Sequence, residues 1–514
     1  MKRRHFLKSS IALPLMINGM KISTLQGFNS ISALNDSDRV LVLIQLNGGN
    51  DGLNSLIPLD QYDKLANLRS NVIIPETDII SLTNENGFHP ALQSMANLFT
   101  NNKMNIIQDV GYPNQNRSHF RSIDIWNAGS SANEFETTGW IGRYLDSIHN
   151  DYPNGYPNNN CPDPLAINIG FAVHETCQGI SSNFSTALVD PDNLANIIES
   201  EPGSIDLNTC YGTELDFVRQ SISQNNAYSG SVSSASDLGN NLANYPDEDL
   251  AQQLKIVARL ISGGLQTSIY TVNIGGFDTH ANQVANGNTQ AGTHANLLQT
   301  LSDAITAFQS DLEQLGVDQR VLGMTYSEFG RQIKSNNSLG TDHGTAAPLF
   351  VFGSCVNPTI IGSNYEIPDV VEDQAGVPMQ YDFRSVYGSI LMDWFDVEES
   401  QVQNLLFDDF QHLNIVQACT VNTDDPKIIS PIQSYNYPNP FDNWTTIHFT
   451  STGGNYKISI FDTLGHEIKV VSNRNFPTGD HQVQADLSAF PAGMYHYRIV
   501  SRDSQETKNL HKIR

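Results

Sequence analysis

The sequence predicts an α/β fold: a mostly parallel sheet with helices on both faces, followed by a small C-terminal β-sandwich. The aliphatic run at residues 40–44 is typical of a central parallel strand that is buried on both faces. Further candidate strands alternate with helical patterns, as parallel sheets require; they lie at residues 104–110, 165–169, 268–274, 321–326 and 349–352. After residue 419 the pattern changes to short strands separated by Gly, Pro and Asn turns, which predicts a separate β domain.

Three amphipathic segments are predicted to be helices that cover the sheet. The clearest spans residues 294–315, where Leu, Ile and Phe side chains recur at helical spacing on one face. Two more are expected at residues 249–261 and 383–395. Residues 151–244 are rich in Asn, Ser, Pro and Gly and show little periodicity, so long loops are expected there.

Length and composition exclude several classes of protein. A chain of 514 residues exceeds the usual size of one domain, so a large domain and a smaller one are expected. The formal net charge of −26 argues against nucleic acid or an anionic membrane as a partner, because both are bound mainly through Lys and Arg. Five cysteines are too few for a disulfide framework, although a single bridge stays open. After the N-terminal region no run reaches ~18 apolar residues, so no membrane span is expected in the mature protein.

Residues 1–33 are expected to be an export signal. Arg3 and Arg4 lead directly into the sequence FLK, and the apolar stretch at residues 11–17 is short and only mildly apolar. Paired arginines before a weak apolar region are typical of twin-arginine signals. A signal for the general secretory route and a basic disordered tail are the alternatives.

Side chains of the kinds that bind metals follow two of the predicted strands. Asp278 and His280 flank one residue at a strand end, so in extended geometry both point to the same side. Asp342 and His343 follow a second polar run, which contains Glu328. Open α/β sheets form their sites where parallel strands end, so these residues are expected to converge. Imidazoles together with carboxylates favour Zn²⁺ or Mn²⁺ over Ca²⁺, which prefers oxygen ligands alone.

The same motifs resemble a known family. The runs QLNGGNDGLN at residues 45–54, SHFR at 118–121, FDTH at 277–280, SEFGR at 327–331 and GTDHG at 340–344 resemble, in order, the bacterial domain-of-unknown-function family 1501. That family is grouped with the alkaline phosphatase and sulfatase superfamily. The resemblance covers roughly residues 38–400, and it implies an alkaline phosphatase-like domain at residues 38–420.

The resemblance also implies roles for individual residues. Similar phosphatases carry their nucleophile on a Ser or Thr at a helix start, and Ser118 matches that place; a plain helix N-cap is the alternative. Arg121 or Arg331 would stabilise the equatorial oxygens of the reacting group. The implied metal ligands are Asp51, Asp278, His280, Glu328, Asp342 and His343.

Several of these assignments have structural alternatives. Asp278 could instead cap a turn, with His280 as a polar residue of the loop. Glu328 and Arg331 could instead form an ion pair at the start of a helix. His294 resembles a histidine of the family, and two roles are equally compatible with its position: a metal ligand and a helix cap.

Asp51 departs from the pattern of the superfamily. Similar enzymes have a carboxylate ligand immediately after the first strand, whereas this chain has Asn47 there and Asp51 four residues later. Either the loop folds back to present Asp51, or the site binds one ion in place of two. The Cys-x-Pro-x-Arg motif of similar sulfatases is absent around Ser118, which argues against a standard sulfatase.

The C-terminal residues 435–514, which follow a predicted linker at 421–434, resemble the type IX secretion sorting domain of Bacteroidetes. The resemblance lies in YPNPF at residues 437–441, IFDTLG at 460–465, LSAFPAGMY at 487–495 and a basic chain end. It implies the type IX secretion machinery as a partner and a secreted or cell-surface destination after periplasmic transit. A carbohydrate-binding or adhesive β-module is the alternative.

Together these observations predict an exported metal-dependent hydrolase that acts on a phosphate or sulfate ester, either a small molecule or a polymer. The displaced Asp51 motivates a second hypothesis. In that hypothesis the chain is a non-catalytic, metal-containing binding protein that is secreted or held at the cell surface.

Overall fold

The computed structural model describes residues 16–17, 20–21, 38–191, 209–417, 419, 434–451, 453–462, 467–501 and 505–513. Its chain divides into two compact units, Met1–Cys419 and Thr420–Arg514. The export signal predicted at residues 1–33 lies outside the described residues except for two short strands, Met16–Ile17 and Met20–Lys21. Of the linker predicted at residues 421–434, only Ser434 is described.

The helices and strands of the first unit alternate along the chain. The helices are α1 (Gly52–Ser55), α2 (Tyr62–Leu68), α3 (Gln93–Thr100), α4 (His119–Ala128), α5 (Trp140–Ile148), α6 (Cys210–Leu238), α7 (Asp249–Ser262), α8 (Thr293–Leu315), α9 (Phe383–Asp393) and α10 (Glu399–Leu405). The strands are β1 (Val40–Leu46), β2 (Leu56–Pro58), β3 (Ile80–Ser81), β4 (Asn86–Phe88), β5 (Met104–Gly111), β6 (Ala166–Ile169), β7 (Ser185–Leu188), β8 (Ile269–Ile274), β9 (Val321–Tyr326), β10 (Ala347–Phe352), β11 (Ile360–Ile361) and β12 (Tyr381–Asp382).

A nine-stranded sheet forms the centre of the first unit. Its order is β11-β5-β10-β9-β1-β8-β6-β7, with β12 also beside β5. The predicted mostly parallel sheet is confirmed, since only β10 runs antiparallel to its neighbours β9 and β5. No α-helix lies between β9 and β10, so the chain returns without the helical crossover that a parallel pair requires.

Both faces of the sheet are covered, as predicted. Along β1, Val40, Val42 and Ile44 pack into a core with apolar side chains of α3, α7 and α8. The alternate residues Leu41 and Leu43 pack into a second core with side chains of α4, α5, α9 and α10. All of these β1 side chains are buried, which explains the uninterrupted aliphatic run in the sequence.

The expectation of loops at residues 151–244 is wrong in part, because this region contains β6, β7 and the long helix α6. Tyr228, Val232 and Ala235 are buried at helical spacing, and α6 packs against α7. Thr209 caps the helix by accepting a hydrogen bond from the Gly212 amide. The few apolar positions are diluted by Ser, Gly and Asn, so the helical period is weak in the sequence.

The second unit contains two antiparallel sheets. One has the order β13-β14-β17, built from Ser434–Tyr437, Trp444–Ser451 and Gly479–Asp486. The other has the order β16-β15-β18-β19, built from Glu467–Phe476, Gly454–Phe461, Gly493–Ser501 and Gln505–Lys512. Side chains of both sheets, among them Ile447, Phe449, Ile458 and Tyr497, share one buried core.

Deleting residues 435–514 is expected to leave thermal unfolding of the first unit unchanged, because each unit buries a hydrophobic core of its own. Calorimetry of the full chain and the truncated chain tests this. Loss of secretion alone agrees with the expectation, whereas a lower unfolding temperature of the first unit contradicts it.

Candidate metal centre

The candidate site lies where three neighbouring parallel strands end. β1 pairs in parallel with β8 on one side and with β9 on the other. The loops that follow these strands carry Asp51, Asp278 and Glu328, respectively. Carboxyl ends of parallel strands meet at one edge of a sheet, so the strand order accounts for the convergence expected from the sequence.

Three ligand-type atoms form a compact triangle at this edge. His343 Nε2 lies 3.0 Å from Asp278 Oδ1, and His280 Nε2 lies 3.1 Å from the same oxygen. The two Nε2 atoms are 2.9 Å apart. Metal bonds to these atom types are about 2.0–2.2 Å long, so three donors at such separations can share one ion.

A third imidazole, that of His119 at the start of α4, lies beside Asp278 and His343. Ligand atoms of His119, Asp278 and His343 lie within 4.8 Å of one another. His119 Nδ1 is 2.8 Å from Glu328 Oε1, while Nε2 is 3.5 Å from Asp278 Oδ2. This Nε2 atom is buried and has no hydrogen-bond partner among the described residues. An unpartnered buried ring nitrogen beside a carboxylate is the arrangement expected of a metal ligand.

The Nδ1 atoms of the three imidazoles each face an acceptor. These acceptors are Glu328 Oε1 for His119, Asp342 Oδ1 for His280 and the Arg117 carbonyl for His343. Because a carboxylate or carbonyl oxygen only accepts, each Nδ1 donates a hydrogen bond, which leaves the Nε2 of a neutral ring available to a metal. Burial lowers the pKa of His343, which favours its neutral form at pH 7.

The donor set fits a divalent cation. The Nε2 atoms of neutral imidazoles and the Asp278 carboxylate all attract positive charge, so an ion between them would be stabilised. Imidazole nitrogens and carboxylate oxygens both bind divalent ions in proteins, and an Nδ1 proton held by a carboxylate or a carbonyl is the usual outer contact of such imidazole ligands. Glu328 and Asp342, which were expected as ligands, each accept a hydrogen bond from one of these Nδ1 atoms.

Arg331 fixes Asp278 and the surrounding loops. Its side chain is fully buried and donates to Asp278 Oδ1 at 2.8 Å. Its other donors bind the carbonyls of Gly48, Gly49, Phe277 and Thr341. Burial would raise the pKa of Asp278, but the hydrogen bond and charge of Arg331 outweigh it, and the pKa falls to about 2. The guanidinium of Arg331 thus donates its hydrogen bonds to the loops. The expected role was a contact with oxygens of the reacting group.

Gly48 brings the first loop against the cluster. Its amide donates to Glu328 Oε1 at 2.8 Å, and its φ of 120° lies in the region that favours glycine. A Cβ atom at this position would lie 2.3 Å from the Asp278 amide nitrogen. Any larger residue would therefore displace the backbone that carries Asp278.

Asp51 has different partners from those expected of a metal ligand. The carboxylate is buried, and both of its oxygens lie within 3.0 Å of Arg69 Nη1. Gln283 Nε2 donates to Oδ2 at 2.6 Å. Both oxygens are thus occupied by protein donors, so the loop does not present Asp51 to the cluster. His294 is also buried, with Nε2 3.0 Å from Asn50 Oδ1, and Gly292 holds the N-cap position of α8.

Ser118 and Arg121 lie on the segment that carries His119. Ser118 is exposed and holds the N-cap position of α4, but its hydroxyl makes no capping hydrogen bond. Arg121 donates to the carbonyls of Ala132 and Glu134 and lies 3.9 Å from the centre of the Phe135 ring. These contacts hold Arg121 against a neighbouring loop, which differs from the expected oxygen-stabilising role. A cavity of about 470 Å³ beside α4 is lined partly by Arg121 and by none of the cluster residues.

Comparison with known protein families agrees with these motifs. The family model described as "Protein of unknown function (DUF1501)" matches residues 89–379, and the model described as "Secretion system C-terminal sorting domain" matches residues 436–512. No curated protein matches this chain significantly. The sorting domain implies interaction with the type IX secretion system and secretion to the cell surface or beyond. No helix in the described part of the chain has the length and apolar character needed to cross a membrane.

Several solved structures are similar in part. A protein of the alkaline phosphatase superfamily from Vibrio parahaemolyticus has 11% identity and a TM-score of 0.30, with 63% of this chain and 62% of that chain covered. A phosphonate monoester hydrolase from Silicibacter pomeroyi has 9% identity and a TM-score of 0.32, with 92% and 89% covered. A putative sulfatase from Bacteroides fragilis has 9% identity and a TM-score of 0.32, with 86% and 89% covered.

The match to residues 89–379 spans more than half of the 514 residues and includes His119, Asp278, His280 and His343. The chain therefore belongs to the family described as protein of unknown function DUF1501, and it carries a C-terminal secretion sorting domain.

Proposed function

We propose that this chain is an exported metal-dependent hydrolase of phosphate or sulfate esters. The observation that carries the proposal is the set of three imidazole Nε2 atoms around Asp278, one of them buried without a partner. The sorting domain supports export. In this proposal residues 1–33 are a twin-arginine signal that brings the folded chain to the periplasm before type IX secretion.

The ligands in this proposal are His119, Asp278, His280 and His343, and the ion is Zn²⁺ or Mn²⁺. When bound, a divalent ion supplies positive charge that polarises a phosphoryl or sulfuryl oxygen and lowers the pKa of a nearby hydroxyl. Glu328 holds the ring of His119, and Asp342 holds the ring of His280. These outer carboxylates also raise the basicity of the two rings.

Ser118 is the proposed nucleophile. It lies between Arg117, whose carbonyl accepts the Nδ1 proton of His343, and His119. Because its hydroxyl does not cap α4, it is available to attack an ester held beside the cluster. The α4 N-terminus adds backbone N–H groups that favour an anionic group at this place.

One observation favours the second candidate, a metal-containing binding protein without turnover. Asp51 is held by Arg69 and Gln283, so the cluster has a single carboxylate ligand and fits one ion rather than two. A single ion gives less stabilisation of an in-line displacement than a pair of ions, which clamps the attacking and leaving oxygens together.

A panel of phosphomonoester, phosphodiester and sulfate-ester substrates, each assayed with added Zn²⁺, Mn²⁺ or Ca²⁺, tests the proposal. Turnover that requires Zn²⁺ or Mn²⁺ and disappears in His343→Ala supports the hydrolase. Tightly bound metal without turnover on any ester would favour the binding protein. A chain that binds no metal would contradict both.

Ser118→Ala is expected to leave metal content unchanged and to lower turnover by about 10³-fold or more, since the hydroxyl is the attacking atom and not a main ligand. Ser131→Ala is the matched control, because its hydroxyl contacts Glu134 outside the cluster. Metal stoichiometry and turnover are measured on the same samples. A Ser118→Ala rate close to that of the wild type would exclude the covalent route.

A further inference from the structure

Gln283 is a fully buried side chain that joins the loop of Asp278 and His280 to the loop of His343. Its Oε1 accepts hydrogen bonds from the Thr279 hydroxyl at 3.1 Å and from the Thr341 hydroxyl at 2.7 Å. Thr279 separates Asp278 from His280, and Thr341 directly precedes Asp342 and His343. One amide oxygen therefore links the backbones that present the cluster residues of the two loops.

The orientation of this amide is fixed from its other side. Gln283 Nε2 donates to Asp51 Oδ2 at 2.6 Å, and a carboxylate accepts only from the NH₂ end of the amide. The carboxylate is itself held by Arg69. The chain of contacts Arg69, Asp51 and Gln283 thus leaves Oε1 directed at the two threonine hydroxyls.

The side chains of Thr279 and Thr341 are buried, whereas Asp278 and His280 are partly exposed at the cluster. A buried threonine whose hydroxyl is held by a hydrogen bond restrains the backbone on both sides of it, and with it the positions of the neighbouring cluster residues. The Thr341 amide also donates to the Thr279 carbonyl at 3.2 Å, which brings the two loops together beneath the cluster.

We propose that Gln283 is a positioning residue of the metal centre, with Asp51 setting the orientation of its amide. This inference rests on the proposed metal site and not on the proposed hydrolysis. It gives Asp51 a role without direct contact with an ion. The outer partners of metal ligands typically contribute about 10–100-fold to metal affinity, and Gln283 acts on two ligand loops at once.

Gln283→Glu tests the proposal because it places a carboxylate against Asp51. We expect it to weaken Co²⁺ affinity by about 100-fold, and Thr341→Val, which removes one hydrogen bond at nearly constant volume, by about 10-fold. D51N/Q283E restores a donor facing a carboxylate and keeps the total charge, so it is expected to regain most of the affinity. Gln299→Glu is the matched control, since Gln299 Nε2 donates to Asp303 Oδ2 at 2.7 Å on the exposed face of α8.

Co²⁺ titration of the full-length chain, followed by visible absorption and by competition with a chelator, gives both affinity and coordination geometry. In one outcome the wild type binds Co²⁺, and Gln283→Glu and Thr341→Val both bind it with affinities within twofold of the wild-type value. That result overturns the Gln283 proposal and leaves the metal site intact. A D51N/Q283E affinity as low as that of Gln283→Glu overturns it too. A wild-type chain that binds no Co²⁺ overturns the metal site and the inference together.

Discussion

His119→Ala is expected to reduce affinity for Zn²⁺ by more than the ~10–100-fold that the loss of an outer contact costs, because it removes a ligand. The buried Nε2 atom of His119 has no hydrogen-bond partner among the described residues, and we propose the ion as its partner. Any metal-dependent turnover should fall in parallel. Competition with a chelator, followed by metal analysis of the protein, measures the loss.

His412→Ala is the matched control for this variant. His412 Nε2 lies 2.9 Å from Asp393 Oδ2, so the substitution also removes an imidazole that contacts a carboxylate. Its metal affinity should equal that of the wild type. Equal Zn²⁺ affinities of His119→Ala and the wild type would show that His119 is not a ligand and that its unpartnered Nε2 atom has another explanation.

Arg69→Met is expected to destabilise the metal-free protein by about 3–5 kcal/mol, because it leaves the buried Asp51 carboxylate without its partner. Arg320→Met removes an ion pair with the exposed Asp38 and should cost about 0–1 kcal/mol. Chemical denaturation of both variants without metal gives the comparison. Similar losses in the two variants would contradict the account of the Asp51 network.

The destabilisation caused by Arg69→Met should depend on pH. Burial would raise the pKa of Asp51, but the charges of Arg69 and His294 and the hydrogen bonds from Arg69 and Gln283 lower it. The pKa of Asp51 in the folded protein is thus below the value of about 3.9 for an unfolded chain. The charged carboxylate therefore stabilises the fold above pH ~3.9, and this stabilisation is lost as the pH falls through the pKa of the folded protein. The difference in free energy of unfolding between Arg69→Met and the wild type should therefore become smaller below about pH 4.

The fold was largely predictable because its signals are local. The aliphatic run of β1 and the apolar periodicity of α8 can be read over a few residues, and both elements form as expected. Helix α6 was missed because Ser, Gly and Asn separate its apolar residues, so the helical period is weak in the sequence. The direction of β10 depends on the connection from β9, which periodicity does not encode.

The candidate site was predictable as a set of loops but not as a set of ligands. Asp278, His280 and His343 converge as the strand-end argument requires. His119 lies within the SHFR motif at the start of α4 and not directly after a strand, so the strand-end pattern did not indicate it. The partners of Asp51 and Arg331 come from loops distant in the sequence, so spacing alone gave no indication that both are committed to protein contacts.

We propose that one divalent ion is bound by His119, Asp278, His280 and His343. X-ray absorption fine structure at the zinc edge, recorded on the full-length chain loaded with one equivalent of Zn²⁺, tests it most directly. The account predicts three imidazole nitrogens at about 2.0–2.1 Å and one carboxylate oxygen at about 2.0–2.2 Å, with loss of one imidazole contribution in His119→Ala. A shell of oxygen atoms without imidazole scattering would contradict the claim.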